Sequence, residues 1–265
     1  MLNSMIIGRY VPGTSVLHRM DPRAKLLMIF CYVFIAFLAN NVISYMLLTV
    51  FTFALLILSK ISIAFIIRGI KPILWVVLFT FLLHLLMTKE GELLLKLGWL
   101  QIYEEGMERG IFISLRFLLL ILVTTLLTLT TTPIEVTDGV ESLLSPFKKF
   151  GLPVHELALM MSISLRFIPT LMEETEKIVK AQAARGVDFS EGTFRERVKA
   201  IMSLLVPLFI SSFKRAEELA VAMEARGYRD GSGRTKFRVL QWKIGDTVLL
   251  TSLGVLALVL LVLRS

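Results

Sequence analysis

Two Ala-Arg-Gly triplets, at residues 184–186 and 225–227, are the strongest candidates in this chain for specific recognition chemistry. Each one closes a long segment with helical periodicity. A single triplet has an ordinary explanation, because glycine supplies a left-handed helix cap and arginine near a C-terminus offsets the helix dipole. Two triplets that close similar segments indicate more than capping. They predict two planar, permanently charged guanidinium groups that suit bidentate binding of carboxylates on two similar partners, or on one twofold partner.

The other polar residues do not form a catalytic or metal-binding pattern. His18, His84 and His155 are far apart, and no His, Cys, Asp or Glu cluster has the spacing of metal ligands. Residues 231–236 are rich in glycine and basic residues, but they lack Walker A spacing and a preceding apolar strand. We interpret them as a flexible basic linker. Arg116 lies inside an apolar run, where it is either functional or reaches the outer surface by snorkelling.

The composition indicates which elements must hold the triplets in place. Hydrophobic residues make up 55% of the 265 residues, and the mean hydropathy is +0.75. Soluble domains contain about 45–50% apolar residues. The excess lies in long apolar runs that are typical of membrane-spanning helices. We therefore predict an all-α membrane protein with about five transmembrane helices and a region of long amphipathic helices.

The apolar runs divide the chain into three predicted regions. An N-terminal transmembrane region covers residues 1–131, a polar and amphipathic region covers residues 132–246, and a last transmembrane helix covers residues 247–265. The predicted spans of the first region are approximately 26–39, 42–58, 73–87 and 111–131.

The long apolar run of residues 26–58 can be divided in two ways. Asn40-Asn41 is a turn signal, and it favours two short helices over a single long tilted helix. The first of the two would be short for a crossing. We expect Arg23 and Lys25 to snorkel to the headgroups and so extend it.

The distribution of basic residues predicts the orientation in the membrane. Residues 1–25, 59–72 and 132–246 contain 24 Lys and Arg residues, whereas residues 88–110 together with Arg264 contain 4. Cytoplasmic loops carry the excess of basic residues in membrane proteins. We therefore expect a multi-pass protein of the cell membrane whose N-terminus and residues 132–246 are cytoplasmic and whose C-terminus is outside.

Helix start and stop signals divide the region of residues 132–246. A first helix should begin at Thr132-Pro133, with Glu135 completing a capping box, and run toward Gly151. A second helix should run from Val154 to the first triplet, and a third from Thr193 to the second triplet. The apolar halves of these two helices, 157–172 and 201–213, are short for crossings, so we interpret them as buried or interfacial.

The whole chain resembles the transmembrane T component of energy-coupling factor transporters, a branch of the ABC superfamily that takes up vitamins and transition metals. The two triplets carry the resemblance, together with the sequence His-Arg-Met-Asp-Pro-Arg-Ala-Lys at residues 18–25. The resemblance implies that the two long helices are coupling helices, which cross each other and dock on two ABC-type ATPase subunits. It also implies a separate substrate-binding membrane S component, moved when the ATPases move.

The resemblance assigns roles to six residues. The arginines would contact the ATPases, the alanines would permit close approach, and the glycines would end the helices. The implied docking residues are Ala184, Arg185, Gly186, Ala225, Arg226 and Gly227. The chain itself would then be non-catalytic and hold no cofactor, because the partner ATPases bind ATP and Mg. Its partners would be those ATPases, the S component and the lipid bilayer, with no nucleic acid.

Two other classes of function remain open from the residues alone. A self-contained secondary transporter should show paired charges or broken helices near the midplane of the membrane. An integral membrane enzyme should show a cluster of acids, histidines or metal ligands near a membrane face. The one acidic cluster, within residues 88–110, is interpreted as a solvated loop.

Overall fold

The computed structural model describes residues 10–97, 100–189, 192–228 and 239–264. Within these residues the chain forms eight α-helices, two short 3-10 helices and one two-stranded sheet, which confirms the predicted all-α membrane class. The predicted linker at 231–236 lies outside the described residues. The elements are α1 (Pro22–Ala36), α2 (Val42–Ser59), α3 (Ile63–Met87), β1 (Leu93–Leu97), β2 (Leu100–Tyr103), α4 (Glu104–Thr130), α5 (Pro133–Leu144), α6 (Val154–Ala184), α7 (Phe194–Ala225) and α8 (Ile244–Arg264).

The chain folds as two compact units. Residues 1–143 and 240–265 form the first, here called the membrane unit, and residues 144–239 form the second, here called the hairpin unit. The membrane unit therefore contains both ends of the chain. The hairpin unit contains α6 and α7 and is inserted between α5 and α8.

Four described helices are long and apolar enough to cross a bilayer, namely α2, α4, α6 and α8. Helix α3 adds a fifth if its two segments, which meet at 60°, count as one span. Helix α6 meets the criterion with a mean hydropathy of 1.2, well below the 2.3–2.4 of the other three. Helix α1 has 15 residues, fewer than the roughly 17–25 of a full crossing.

Helices α1 and α2 divide the apolar run at its asparagines. Asn41 has extended backbone and is the N-cap residue of α2, and its side chain donates to the carbonyl of Leu263 at 3.1 Å. Asn41 therefore joins this turn to the end of α8. Tyr32 and Thr52, both buried, connect the two helices through a 2.7 Å hydrogen bond between their hydroxyl groups.

Helix α3 begins earlier than the sequence indicates. The predicted third span begins at residue 73, but α3 starts at Ile63 and bends at residue 72, which is a proline. Ile66 and Ile70 are one helical turn apart, and both are buried. Burial of this apolar stripe explains why the basic residues of the segment do not prevent a helix.

The acidic segment of residues 88–110 also has more regular structure than a loop. Its centre forms the β1–β2 hairpin, and α4 begins at Glu104 instead of residue 111. Acidic residues favour a helix N-terminus. A Cβ atom placed on Gly106 would lie 2.9 Å from the backbone oxygen of Thr88. Helix α4 therefore needs glycine at this position to pack closely against the end of α3.

The membrane unit has a continuous apolar core between α1, α2, α4 and α8. Its fully buried members include Leu48, Leu119, Leu126, Leu253 and Leu260. Large apolar side chains also cover the outside of these helices and of α3, among them Phe30, Phe34, Met46, Trp75, Phe79 and Leu258. A protein in water does not expose so much contiguous apolar surface, so these faces are suited to lipid.

The expectation that Lys25 snorkels to the headgroups is wrong. Its side chain is buried, and Nζ donates to the carbonyl of Thr130 and to the hydroxyl of Thr131, both at 3.0 Å. The ends of a helix leave carbonyl groups unpaired, and Lys25 satisfies one at the end of α4. This contact joins α1 to the connection between α4 and α5.

The start signals predicted for α5 and α7 are present in the structure. The amide of Thr132 donates to Glu135 at 3.0 Å, and the amide of Glu135 donates to Thr132 at 3.3 Å. Thr193 and Glu196 form the same capping box at α7. The Thr193 amide and hydroxyl, which donate to Glu196, lower the pKa of that carboxyl.

Helix α5 ends earlier than predicted, and a 3-10 helix continues to Phe150.

Candidate functional site

The two Ala-Arg-Gly triplets end their helices with the same backbone geometry. Helix α6 ends at Ala184 and α7 at Ala225, and Gly186 and Gly227 have φ angles of +84° and +73°. After α6, the amide of Gly186 donates to Ala183 at 2.9 Å and that of Val187 to Gln182 at 3.0 Å. This pair of bonds is a Schellman cap, which needs a left-handed residue and therefore favours glycine.

The α7 cap repeats this pattern at corresponding positions. The amide of Gly227 donates to Glu224 and the amide of Tyr228 to Met223, both at 2.9 Å. The sequence repeat that relates the two helices is weak, yet the caps that hold the two arginines are alike. The glycines therefore end the helices as the sequence predicts, and each arginine occupies the same position just before its glycine.

Both arginine side chains are free to meet a partner. Arg185 and Arg226 are exposed, and so are Ala184 and Ala225 beside them. Among the residues that the structure describes, neither guanidinium has an ion-pair partner. The alanines leave little side-chain bulk next to each guanidinium, which suits close approach by another surface. Whether these six residues dock an ATPase stays a prediction at this point.

Helices α6 and α7 form an antiparallel hairpin that separates the triplets. The Gln182 side chain donates to the carbonyl of Ser203 at 3.1 Å, and Glu174 accepts from Ser211 and from Arg215. Residues later in α7 therefore contact residues earlier in α6, so the two helices run antiparallel. Arg185 thus lies at the loop end of the hairpin. Arg226 lies at the other end of the hairpin. The length of α7, 32 residues, separates the two arginines by at most about 48 Å at 1.5 Å per residue.

Polar contacts hold the hairpin together in its centre. Arg215 Nη2 lies 2.5 Å from the Glu174 carboxylate, and the side chains are 37% and 21% exposed. Beyond this pair the helices leave an apolar groove of about 500 Å³. Its lining includes Ile163, Phe167, Leu171, Leu219 and Met223.

The intramembrane Arg116 has a structural role. Its Nη2 donates to the carbonyl of Ala39 at 2.9 Å, and its guanidinium lies 5.0 Å from the ring centre of Phe37 and 5.8 Å from that of Tyr45. The side chain therefore stabilises the turn between α1 and α2 through a hydrogen bond and two cation–π contacts.

The histidines are separate, as their positions in the sequence indicate. His18 hydrogen-bonds to Ser15 at 2.6 Å and to the carbonyl of Val11 at 2.9 Å, and His84 bonds to the carbonyl of Thr80 at 3.0 Å. Within the described ranges, no three His, Cys, Asp or Glu side chains are close enough to hold a metal ion.

A buried polar cluster in the membrane unit is the feature that sequence reasoning missed. Asp21, part of the sequence at residues 18–25, is joined to Asp246 at the start of α8, 225 positions away. Burial raises the pKa of Asp21, but the hydrogen bonds and charge of Arg23 more than offset this, so the pKa lies below its ordinary value. The sequence signal was available, since Asp246 is an acid at the start of an otherwise apolar run.

Comparison with known proteins identifies the family. Residues 13–237 match the family CbiQ, described as cobalt transport protein, and this match includes both triplets and the Asp21 region. The chain is 65% identical to an energy-coupling factor transporter transmembrane protein EcfT of Bacillus subtilis strain 168, over 265 residues and the full length of both chains. The chain belongs to the EcfT family.

Other members of the EcfT family match over the same length. The EcfT protein of Listeria innocua is 57% identical over 265 residues, which cover both chains completely. That of Streptococcus thermophilus is 49% identical over 264 residues, again 100% of each chain. These matches confirm the resemblance inferred from the triplets. The chain is therefore the transmembrane component of an energy-coupling factor transporter and an integral membrane protein.

Proposed function

We propose that this chain is the non-catalytic coupling subunit of its transporter, and that it transmits ATP-driven motion to a substrate-binding membrane subunit. Two cytoplasmic ABC-type ATPase subunits dock on it, one at each Ala-Arg-Gly triplet. They bind ATP and Mg, and this chain needs no cofactor of its own. The transported substrate is a vitamin or a metal ion, in keeping with the description of the matching family as cobalt transport protein.

One observation carries this proposal. Two exposed arginines stand beside identical glycine caps at opposite ends of one helical hairpin. Arginine binds carboxylates bidentately through a planar fork, so each triplet suits an acidic groove on a partner. Two equivalent contacts separated by up to about 48 Å, the length of a straight helix of this size, suit two copies of a similar subunit better than one small partner.

The hairpin suggests how motion is transmitted. When two ATPases bind ATP and move toward each other, each pushes on one end of the hairpin. Helices are stiff along their axes, so the hairpin has to turn or change its crossing as a body. The substrate-binding subunit, held on exposed apolar faces of this chain, would then be tilted. Hydrolysis releases the ATPases and reverses the motion.

The docking role requires the hairpin unit to be cytoplasmic. In a Cys31→Ala background, we expect an impermeant maleimide to label Glu92→Cys on intact cells, since the distribution of basic residues predicts that the α3–α4 connection is outside. Phe150→Cys and Phe194→Cys, both highly exposed in the structure, should be labelled only after the cells are permeabilised. Labelling of either position on intact cells would exclude docking of cytoplasmic ATPases.

Purification of the chain from its native membrane tests the proposal itself. We expect two ATPase subunits and a further small membrane protein to co-purify, and ATP hydrolysis to require the ATPases. The rigorously purified chain alone should hydrolyse no ATP. Hydrolysis that persists in the isolated chain, and that a point mutation in this chain abolishes, would overturn the non-catalytic assignment.

A further inference from the structure

The first turn of α1 contacts the chain on both sides of the hairpin unit, before it and after it. The chain leaves the membrane unit at the end of α5 and returns to it just before α8. Arg23 reaches both places, since it contacts Ser142 in the last turn of α5 and Trp242 on the returning chain. These contacts lie within the membrane unit, where they bring together two points that are 100 residues apart in sequence.

All three nitrogen atoms of the Arg23 guanidinium donate hydrogen bonds, and the group also contacts an aromatic ring. Its Nε and Nη2 donate to the two carboxylate oxygens of Asp21 at 3.0 and 2.8 Å. Its Nη1 donates to the Ser142 hydroxyl at 3.4 Å, and Cζ lies 5.8 Å from the centre of the Trp242 ring. A lysine could not make these contacts together, because it lacks the planar fork.

The returning chain is also fixed by Asp246, which is fully buried. One carboxylate oxygen accepts from the amide of Asp21 at 2.9 Å, and the other accepts from the amide of Lys243 at 2.7 Å. Trp242 is oriented in turn, because its Nε1 donates to the Thr247 hydroxyl at 2.9 Å. Asp21 therefore contacts both Arg23 and Asp246 and unites them in one cluster.

Helix α5 is held against α1 by close packing. A Cβ atom placed on Gly139 would lie 2.9 Å from a methyl carbon of Leu26 and 3.3 Å from Cβ of Pro22. Glycine therefore permits an approach that a larger residue would prevent. The segment that leads to the hairpin is thus fixed to the same turn of α1 as the segment that returns from it.

We propose that Arg23 is a positioning residue that holds the exit and the return of the hairpin unit together, in a junction clamp formed by Asp21, Arg23, Ser142, Trp242 and Asp246. The clamp transmits motion of the hairpin to α1, which packs against α4 and α8. The inference rests on the coupling function proposed above. Without the clamp, the ATPases still dock and hydrolyse ATP. The segments that leave and re-enter the membrane unit then move independently, so the motion of the ATPases does not reach α1.

The test uses the complete transporter in proteoliposomes. Arg23→Gln should leave ATPase docking and ATP hydrolysis unchanged and lower substrate uptake per ATP hydrolysed. Loss of a charge-assisted bond shifts an equilibrium by roughly tenfold or more, so we expect a drop in coupling of about that size. Arg19→Gln is the matched control, because Arg19 is exposed and its side chain forms no hydrogen bond or ion pair in the described residues. It should couple normally.

A cross-link separates positioning from a general loss of stability. Leu143→Cys and Gln241→Cys, in a Cys31→Ala background, introduce thiols at the sequence neighbours of Ser142 and Trp242 without removing any clamp residue. A short bis-maleimide should react with this pair in high yield when Arg23 is present and in low yield in Arg23→Gln. In Arg23→Gln, the cross-link should restore uptake per ATP.

The outcomes distinguish failure of the clamp from failure of the proposed function. If Arg23→Gln assembles, hydrolyses ATP and couples as well as Arg19→Gln, the clamp is overturned while docking at the triplets stands. An equal cross-linking yield with and without Arg23, or a cross-link that restores nothing, also overturns it. If the triplet variants retain their ATPases, the coupling function itself fails, whatever Arg23 does.

Discussion

Arg185→Glu and Arg226→Glu should each weaken docking of the ATPase pair by about 30-fold or more, and the double variant should abolish it. Truncating one partner of a desolvated charge pair costs about 2–5 kcal/mol, and 1.4 kcal/mol corresponds to a factor of ten in affinity. Glutamate adds repulsion from the carboxylates of the partner. Two linked contacts reinforce each other, so loss of both should exceed either single effect. Titration of detergent-purified chain with the purified ATPases measures this.

The variants should fold normally, which separates docking from capping. Gly186 and Gly227 still provide the left-handed caps, and reversal of the charge near a helix end costs only about 0.3–1 kcal/mol. Lys214→Glu is a suitable control, because Lys214 is exposed on α7 and its side chain forms no hydrogen bond or ion pair in the described residues. Wild-type affinity in the double variant would show that both arginines serve only their own helices.

Lys25→Glu should be the most destabilising single substitution in the membrane unit. The ammonium of Lys25 is buried, donates to Thr130 and Thr131, and faces the carboxylates of Glu135, Asp246 and Asp21. A glutamate cannot donate to the Thr130 carbonyl, and it adds a further negative charge to that cluster. Removal of one partner from a buried ionic group costs about 3–5 kcal/mol. Thermal unfolding of detergent-purified chain measures the loss.

Two control variants test whether the loss of stability in Lys25→Glu comes from the buried position and charge of Lys25. Lys25→Met keeps similar volume without adding a charge, so it should cost less, about 1–3 kcal/mol for the unpaired acceptors. Lys71→Glu reverses an exposed charge on α3 and should change stability by no more than about 0.5 kcal/mol. Equal unfolding temperatures for Lys25→Glu and Lys71→Glu would contradict the buried position of Lys25.

Local signals in the sequence were sufficient to find where α6 and α7 end and where α7 begins. Thr193 marks the start of α7, and the Ala-Arg-Gly triplets mark both helix ends, because capping depends on residues within a few positions of each other. The same signals indicated the candidate docking site. They could not show that the helices are antiparallel, since that depends on contacts such as that between Glu174 and Arg215.

Long-range packing explains what the sequence did not reveal. Residues 59–72 lie between two predicted spans, and residues 88–110 are interpreted as a solvated loop. Both segments are nevertheless partly helical, with Ile66 and Ile70 buried and a close approach at Gly106. Lys25 seemed free to reach the headgroups because its acceptors, near residue 130, are distant in sequence. The contact between Asp21 and Asp246 spans 225 positions, and no local pattern predicts such a pair.

Site-specific photo-cross-linking tests the docking of two ATPases most directly. Ala181 and Ala222 are exposed and lie four residues before Arg185 and Arg226, so they are matched positions one turn from each triplet. A photoreactive probe on a cysteine at either position, in a Cys31→Ala background, should capture an ATPase subunit in the assembled transporter. Probes at both positions together should capture two. If neither position captures an ATPase in a complex that still transports substrate, the ATPases dock elsewhere and the account is contradicted.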